Sequence, residues 1–215
     1  MTTNTQYKNF MQVASGVDVH PLLFAIHQQP ELWNKNPARL SKRGPHRDSD
    51  DIWLRYKDER PHIESNSWDG FCDPHIPEWY YAIEKLPQAR PIIYDIMAKT
   101  RGEMLGGVLI YRVRPGKRIH PHVDTGWHPE FYDKFNVCLT SNVKAHFSYT
   151  DETMIQMPGD VHWFRNDVEH EVANGGISDH IVMTVCVRLD RGERVPASPE
   201  GWTMDKAMAA MVAKE

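Results

Sequence analysis

Two histidines and one aspartate have the residue types and spacing of a metal site. They are His122 and Asp124, separated by one residue, and the more distant His170. Two imidazoles and one carboxylate form the facial triad that suits non-haem Fe(II), and this triad leaves coordination positions open for a co-substrate and O2. The pattern therefore indicates an iron-dependent oxygenase.

The His-x-Asp pair alone is a weak signal, because a chain with twelve histidines contains such pairs by chance. His46-Arg47-Asp48 is a decoy of the same form. Context favours His122-Val123-Asp124, which ends a predicted strand, where alternate residues share one face. His120 is the rival of His122, but it lacks an acid two residues later. An ordinary hydrogen-bonded role is the simpler interpretation for His128, His146, His162 and His180.

Short strands must position these residues. After residue 104, β-rich runs alternate with turn signals such as Pro115-Gly116 and Pro158-Gly159. Strands are predicted at residues 108–113, 118–123, 135–140, 145–149, 154–157, 161–164, 171–172 and 180–187. This pattern favours a mainly β fold, a double-stranded β-helix of the cupin-like jelly-roll type with flanking α-helices, and so α+β in detail.

The N-terminal half has fewer and more mixed elements. We expect a short helix at residues 21–26, an exposed basic loop at 35–47 and a strand at 51–56. Helices are expected at 77–86 and 91–100, and a tail helix at 204–214. The prediction is one oxygenase domain over residues 1–215, in which 1–103 flank the core, 104–190 form the jelly roll with its metal site, and 191–215 form a tail.

Composition limits the class of protein. A length of 215 residues fits one domain, and the formal net charge of −4 argues against a nonspecific nucleic-acid binder. Cys72, Cys138 and Cys186 lie far apart, which argues against structural zinc and disulfides and favours a reducing compartment. Neither a signal-peptide core nor a membrane-spanning apolar stretch is evident. We expect a soluble cytoplasmic protein with no membrane contact, either a monomer or a homodimer.

The segment from Tyr111 to Arg188 resembles the aspartyl/asparaginyl β-hydroxylase family of Fe(II)/2-oxoglutarate oxygenases, close to the free-proline hydroxylases. The motifs that carry this resemblance are Pro115-Gly116, Ile119-His-Pro-His-Val-Asp124, Pro158-Gly159-Asp160, Trp163-Phe-Arg-Asn166 and His170-Glu-Val-Ala-Asn174. The resemblance implies a jelly roll with iron at one mouth. It also makes His122, Asp124 and His170 the ligands of Fe(II). Related halogenases replace the acid with a small residue, so Asp124 favours hydroxylation.

The pocket for 2-oxoglutarate departs from the family pattern. The distal carboxylate of this co-substrate needs a cation, and the family places an arginine where this chain has His180. In the strand after the proximal ligand pair, the chain has Lys134, Asn136 and Cys138 where the family has arginine and histidine. We expect a protonated His180, together with Lys134, to supply the positive charge.

Other arrangements of the co-substrate pocket remain open. Arg118, Arg165 or Arg188 could reach the distal carboxylate, or the protein could use a different keto acid or none. Tyr111 on the preceding strand could donate a hydrogen bond to the keto acid, although a core tyrosine is the plainer interpretation. The expected co-substrate residues are therefore His180, Lys134, Asn136 and Tyr111.

The function that the resemblance implies is oxidative decarboxylation of 2-oxoglutarate to succinate and CO2, coupled to hydroxylation of an unactivated C–H bond. The partners would be O2 and either a small molecule, such as an amino acid, or a protein side chain. One alternative is a non-catalytic metal- or sugar-binding jelly roll. Another is a nucleic-acid-modifying oxygenase, which only the basic stretch at residues 35–47 supports and the acidic balance opposes.

Overall fold

Short strands and a few helices make up the chain. The computed structural model describes residues 8–39 and 44–189. Within these ranges the strands are β1 (Phe10–Ala14), β2 (Asp50–Tyr56), β3 (Glu78–Trp79), β4 (Gly102–Val113), β5 (Arg118–His122), β6 (Asp133–Thr140), β7 (Ala145–Tyr149), β8 (Thr153–Met154), β9 (Val161–Phe164), β10 (His170–Asn174) and β11 (His180–Leu189). The α-helices are α1 (His20–His27), α2 (Arg60–Ser65), α3 (Ala82–Lys85), α4 (Ala89–Thr100) and α5 (Trp127–Phe131). Single 3₁₀ turns occur at Pro30–Leu32 and Pro37–Arg39.

The strands form two antiparallel sheets. The large sheet has seven strands in the order β1-β9-β6-β11-β4-β2-β3, and the small sheet has four in the order β5-β10-β7-β8. The two sheets are not closed into a barrel by hydrogen bonds. The predicted fold, a mainly β jelly roll with helices outside it, is confirmed.

Alternation along the central strands divides the core in two. On β11, Met183 and Val185 pack with the helices, whereas Val182 faces the small sheet. Helix α4 covers β4 and β11 and buries Ile93 and Ile96 against them. Burying each such side chain contributes about 1.5–3 kcal/mol. Because the opposite face of the large sheet looks towards the small sheet, its residues line the space where a site can form.

The N-terminal part does more than flank the core, because it contributes strands to the large sheet. Strand β2 pairs with β4, and Trp53 lies opposite Leu109 in this register. Asp50 on β2 forms an ion pair with Arg112 on β4 at 2.8 Å and a second one with Arg114 at 2.7 Å. The side chains of β2 therefore extend the inner wall of the sheet.

The prediction of one helix over residues 77–86 is wrong. The segment forms the short strand β3 and then the single turn of α3. Trp79 pairs with Arg55, and the Tyr80 amide donates to the Leu54 carbonyl at 2.9 Å. The exposed edge of β2 offers these hydrogen bonds, which outweigh a local helical pattern. The predicted helix at 91–100 is confirmed as α4, and the predicted tail helix at 204–214 lies outside the described residues.

No helix in the described ranges has both the length and the apolar character needed to cross a membrane.

A buried carboxyl group makes stability depend on pH. Glu59 is 2% exposed, and burial, with the nearby Asp51 carboxylate, raises its pKa from 4.5 to about 7. The folded state thus binds a proton that the unfolded state releases, so this contribution is complete below pH 4.5 and is lost as pH rises through 7. We expect the free energy of unfolding to fall by about 2 kcal/mol between pH 5 and pH 8.

Urea unfolding at both pH values tests this dependence on Glu59. The Glu59→Gln variant should lose this part of the pH dependence and become the more stable protein at pH 8. The exposed Glu31→Gln variant is the matched control and should behave as the parent does. An unchanged pH dependence in Glu59→Gln would contradict the assignment.

Candidate metal centre

The side chains of His122, Asp124 and His170 lie together beside the space between the two sheets. His122 Nε2 is 3.8 Å from Asp124 Oδ1, and His170 Nε2 is 3.7 Å from Asp124 Oδ2. One potential ligand atom from each residue lies within 4.8 Å of the others. Ligand bonds to a first-row metal ion are about 2 Å long, so small side-chain movements bring all three atoms to one ion.

Strand pairing explains why residues so distant in sequence meet. His122 ends β5, His170 begins β10, and the antiparallel register of these strands sets the two histidines opposite each other. Their ring centroids are 4.5 Å apart. Beyond the strand, the Asp124 amide donates to the Asn166 carbonyl at 3.1 Å, which holds the aspartate beside the histidines.

Backbone carbonyls set the tautomer of both histidines. His122 Nδ1–H donates to the His120 carbonyl at 2.7 Å, and His170 Nδ1–H donates to the Val168 carbonyl at 2.8 Å. Because a carbonyl can only accept, the proton stays on Nδ1 and the Nε2 lone pair is available to a metal. Burial also lowers the pKa of His170 to about 4, so its ring is neutral at physiological pH.

The carboxylate of Asp124 has a cationic partner. Lys134 Nζ on β6 lies 2.6 Å from Asp124 Oδ2. Burial alone would raise the pKa of Asp124, but the ammonium of Lys134 holds it below its usual value. The site therefore combines an ionised carboxylate with the neutral ring of His170, the protonation states that metal ligation requires of these two ligands.

The rival histidine and the decoy motif belong to one hydrogen-bonded cluster instead. His120 Nε2–H donates to Asp48 Oδ2 at 2.8 Å, and Arg47 Nη2 donates to His120 Nδ1 at 2.8 Å. The His120 amide also donates to the Pro45 carbonyl at 2.9 Å. Both ring nitrogens of His120 are thus occupied, and the cluster fastens the segment before β2 to the strand that carries His122.

A cavity of about 330 Å³ opens beside the three ligands. Its floor is the inner face of the large sheet, where Asn136 lies opposite Thr184 in register and Trp53 lies opposite Leu109. Thr184 Oγ1 donates to Asn136 Oδ1 at 2.7 Å. The small sheet contributes Phe147 and Val172 to the opposite wall.

Three of the four expected co-substrate residues border this cavity, namely Lys134, Asn136 and Tyr111. His180 is not among its lining residues. It is 3% exposed, and its Nδ1–H donates to the Thr140 carbonyl at 3.1 Å. Burial lowers the pKa of His180 to about 4, so the expected imidazolium does not agree with this environment.

The arginines considered as alternatives have other partners. Arg118 lies 3.5 Å from Glu171, Arg165 lies 2.8 Å from Asp167, and Arg188 donates to the Phe131 carbonyl at 3.1 Å. None of them lines the cavity. Among the described residues that do line it, Lys134 is the one lysine or arginine.

Sequence reasoning missed one wall of the cavity. This wall consists of Trp53, Tyr56, Phe71 and His128. Alternation along β2 was a signal for an inward-facing Trp53. No local pattern could show that the loop carrying Phe71 and the helix carrying His128 close over the same strand.

Comparisons with known proteins identify the fold. No protein-family model matches the chain, and no curated protein sequence matches it. An oxidoreductase of the 2OG-Fe(II) oxygenase family from Burkholderia pseudomallei matches with a TM-score of 0.55 and 12% identity, over 84% of this chain and 85% of that one. This chain shares its fold with that oxygenase. This match does not single out the aspartyl/asparaginyl β-hydroxylase family. The similarity to that family rests on the sequence motifs alone.

Two other solved structures give weaker matches. The viral collagen prolyl hydroxylase of Paramecium Bursaria Chlorella virus-1, in a 2OG complex, has a TM-score of 0.48 and 12% identity over 85% of this chain and 97% of that one. A cupin domain from Bordetella pertussis has a TM-score of 0.33 and 17% identity over 40% of this chain and 84% of that one. At these identities the likeness concerns the fold alone.

Proposed function

We propose that this protein is an Fe(II)- and 2-oxoglutarate-dependent dioxygenase. It would hydroxylate an unactivated C–H bond of an amino acid or a protein side chain and release succinate and CO2. The observation that carries the proposal is the convergence of His122, Asp124 and His170 beside a cavity that also contains Lys134. The shared fold of the Burkholderia pseudomallei oxygenase supports it.

The donor set fits ferrous iron. Two imidazole nitrogens and one carboxylate oxygen suit non-haem Fe(II), and a site with three protein ligands beside a cavity differs from the closed four-ligand sites of structural zinc. When bound, the iron supplies the activation of O2 that protein side chains cannot provide. The His120 and Val168 carbonyls hold the two imidazoles in the orientation that ligation needs.

Lys134 is the residue that we assign to a carboxylate of the keto acid. Among the described residues that line the cavity, no other is a lysine or an arginine. The ammonium group of Lys134 carries three N–H donors. One donor can stay with Asp124, which lies 2.6 Å away, while the others bind the co-substrate. Asn136 and Tyr111 border the same cavity and can add neutral hydrogen bonds.

Coupled turnover tests the proposed function. The protein is incubated with Fe(II), ascorbate, 2-oxoglutarate and O2, together with either a metabolite extract or a peptide library, and succinate is quantified. We expect succinate formation above the substrate-free rate in at least one pool, with matching loss of 2-oxoglutarate. The exposed His27→Ala variant should retain this activity.

A different outcome would favour a binding protein. If the protein binds Fe(II) tightly but forms no succinate in either pool, and 2-oxoglutarate does not change its affinity for the metal, then the dioxygenase proposal is wrong. A non-catalytic metal-binding jelly roll would then be the better account.

A further inference from the structure

The cavity beside the metal centre has two chemically different ends. Lys134, Asn136 and Thr184 form a polar end on β6 and β11. Trp53, Tyr56, Phe71 and His128 form what we call the aromatic end, on β2, the loop after α2, and α5. The proposed binding of the keto acid by Lys134 uses the polar end and leaves the aromatic end free for another ligand.

Rings at the aromatic end meet at steep angles. The centroids of Trp53 and Tyr56 are 5.0 Å apart with planes at 77°, and those of Tyr56 and His128 are 5.2 Å apart at 54°. Gly107 on β4 allows this arrangement, since a Cβ there would lie 2.8 Å from Tyr56 Cδ2 and 3.4 Å from His128 Cε1. Edge-to-face surfaces of this kind bind further rings well.

Two ring nitrogens at this end have no protein partner. Trp53 Nε1 and His128 Nε2 are buried and make no hydrogen bond with any residue that the structure describes. Burial lowers the pKa of His128 well below its usual value, so this imidazole is neutral. Buried polar atoms are normally satisfied, because leaving them unpaired is unfavourable. Both residues line the cavity, so a bound group with hydrogen-bonding atoms can satisfy these nitrogens after a small shift of the rings.

No described lining residue at the aromatic end is a lysine, arginine, aspartate or glutamate; Lys57 Nζ lies 5.7 Å from the Phe71 ring but donates to the Gly70 carbonyl and does not line the cavity. Apart from imidazoles, the charged groups among the described lining residues are Asp124 and Lys134, and these two pair with each other. A carboxylate buried against the aromatic wall would meet electron-rich ring faces and no cation other than Lys134, which already pairs with Asp124, so its burial is strongly unfavourable. This end of the cavity therefore discriminates against a carboxylate, and hence against the zwitterion of a free amino acid.

We propose that the aromatic end is the substrate subsite and that it takes an uncharged, ring-bearing group with a hydrogen-bonding atom. The subsite binds an amino-acid residue within a peptide, whose amino and carboxyl groups form amide bonds, more tightly than it binds a free amino acid, which is a zwitterion. The inference rests on the proposed function for the claim that the ligand reacts at the neighbouring metal. The selectivity itself follows from the wall and can be measured without metal.

Two probes with the same ring test this selectivity. N-acetyl-L-tyrosinamide is uncharged, whereas L-tyrosine carries both charges, and ligand-observed NMR gives the affinity of the metal-free protein for each. We expect the amide to bind at least about tenfold more tightly. With Mn(II) and 2-oxoglutarate added, its ring protons should relax faster, because the subsite adjoins the metal. Equal affinities, or tighter binding of L-tyrosine, would overturn the proposal.

Matched variants locate the probe. His128→Phe removes the unpartnered nitrogen but keeps a planar ring, and Gly107→Ala narrows the subsite; each should weaken binding of the amide about tenfold or more. His27→Phe, on an exposed face of α1, should not. Selective binding without Mn(II)-induced relaxation, in protein that binds Mn(II), would place the probe elsewhere and overturn the subsite. Failure of the parent to bind Mn(II) would contradict the proposed function and leave the measured selectivity standing.

Discussion

Replacing His170 with alanine is expected to lower the affinity for Fe(II) by about a hundredfold or more and to abolish the decarboxylation of 2-oxoglutarate. The variant loses one of three protein ligands, and even the loss of a residue that only orients a ligand typically costs ten- to a hundredfold in metal affinity. Competition between Mn(II) and Fe(II), followed by electron paramagnetic resonance, gives the affinity. Release of CO2 from carboxyl-labelled 2-oxoglutarate gives the activity.

His120→Ala is the sharpest control for this experiment. The backbone carbonyl of His120 accepts a hydrogen bond from His122 Nδ1–H, and an alanine at position 120 retains this carbonyl. The variant loses the side-chain bonds to Asp48 and Arg47 but no proposed metal ligand, so the affinity for Fe(II) should fall less than tenfold. If His120→Ala were as damaging as His170→Ala while His122→Ala had little effect, the rival histidine would be the true ligand.

Lys134→Met should raise the KM for 2-oxoglutarate by roughly thirtyfold or more, equivalent to about 2 kcal/mol. The substitution keeps an apolar stem of similar length but removes the cation that we assign to the keto acid. It also leaves Asp124 without its partner at 2.6 Å, so the measurement is made at saturating Fe(II). Lys134→Arg keeps the charge and should recover part of the loss.

Variants of the other cations separate the alternatives. Arg188→Met loses a hydrogen bond to Phe131, and His180→Phe loses one to Thr140, but neither residue lines the cavity. Both should leave the KM for 2-oxoglutarate nearly unchanged. A large increase in Arg188→Met or His180→Phe, with a normal value in Lys134→Met, would show that the assignment of Lys134 is wrong.

The convergence of His122, Asp124 and His170 was predictable because it depends on strand geometry, which a sequence encodes. A period of two sets His122 and Asp124 on one face, and the short turn-separated strands indicated that a later strand would return beside them. The exact pairing of His170 with His122 is a matter of register, which the structure supplies. The resemblance of the flanking motifs to the hydroxylase family favoured His170 over the other histidines in this region.

The charge on His180 could not be predicted from sequence, because pKa depends on surroundings that only the fold creates. In the folded chain the ring is enclosed and donates a hydrogen bond to the Thr140 carbonyl, and burial lowers its pKa. The ion pair of Lys134 with Asp124 was also not predictable from sequence. Asp124 follows the end of β5 and Lys134 lies near the start of β6, and only the fold brings the two side chains together. The aromatic end was equally hidden, since its members come from three segments distant in sequence.

A crystal structure from crystals grown anaerobically with Fe(II) and 2-oxoglutarate shows whether the three side chains bind one iron ion. We expect one iron ion bound by His122 Nε2, His170 Nε2 and an Asp124 oxygen, with the keto acid completing part of its coordination and Lys134 in contact with a carboxylate. Iron bound elsewhere, or enclosed at this site by a fourth protein ligand with no room for the keto acid, would contradict the account.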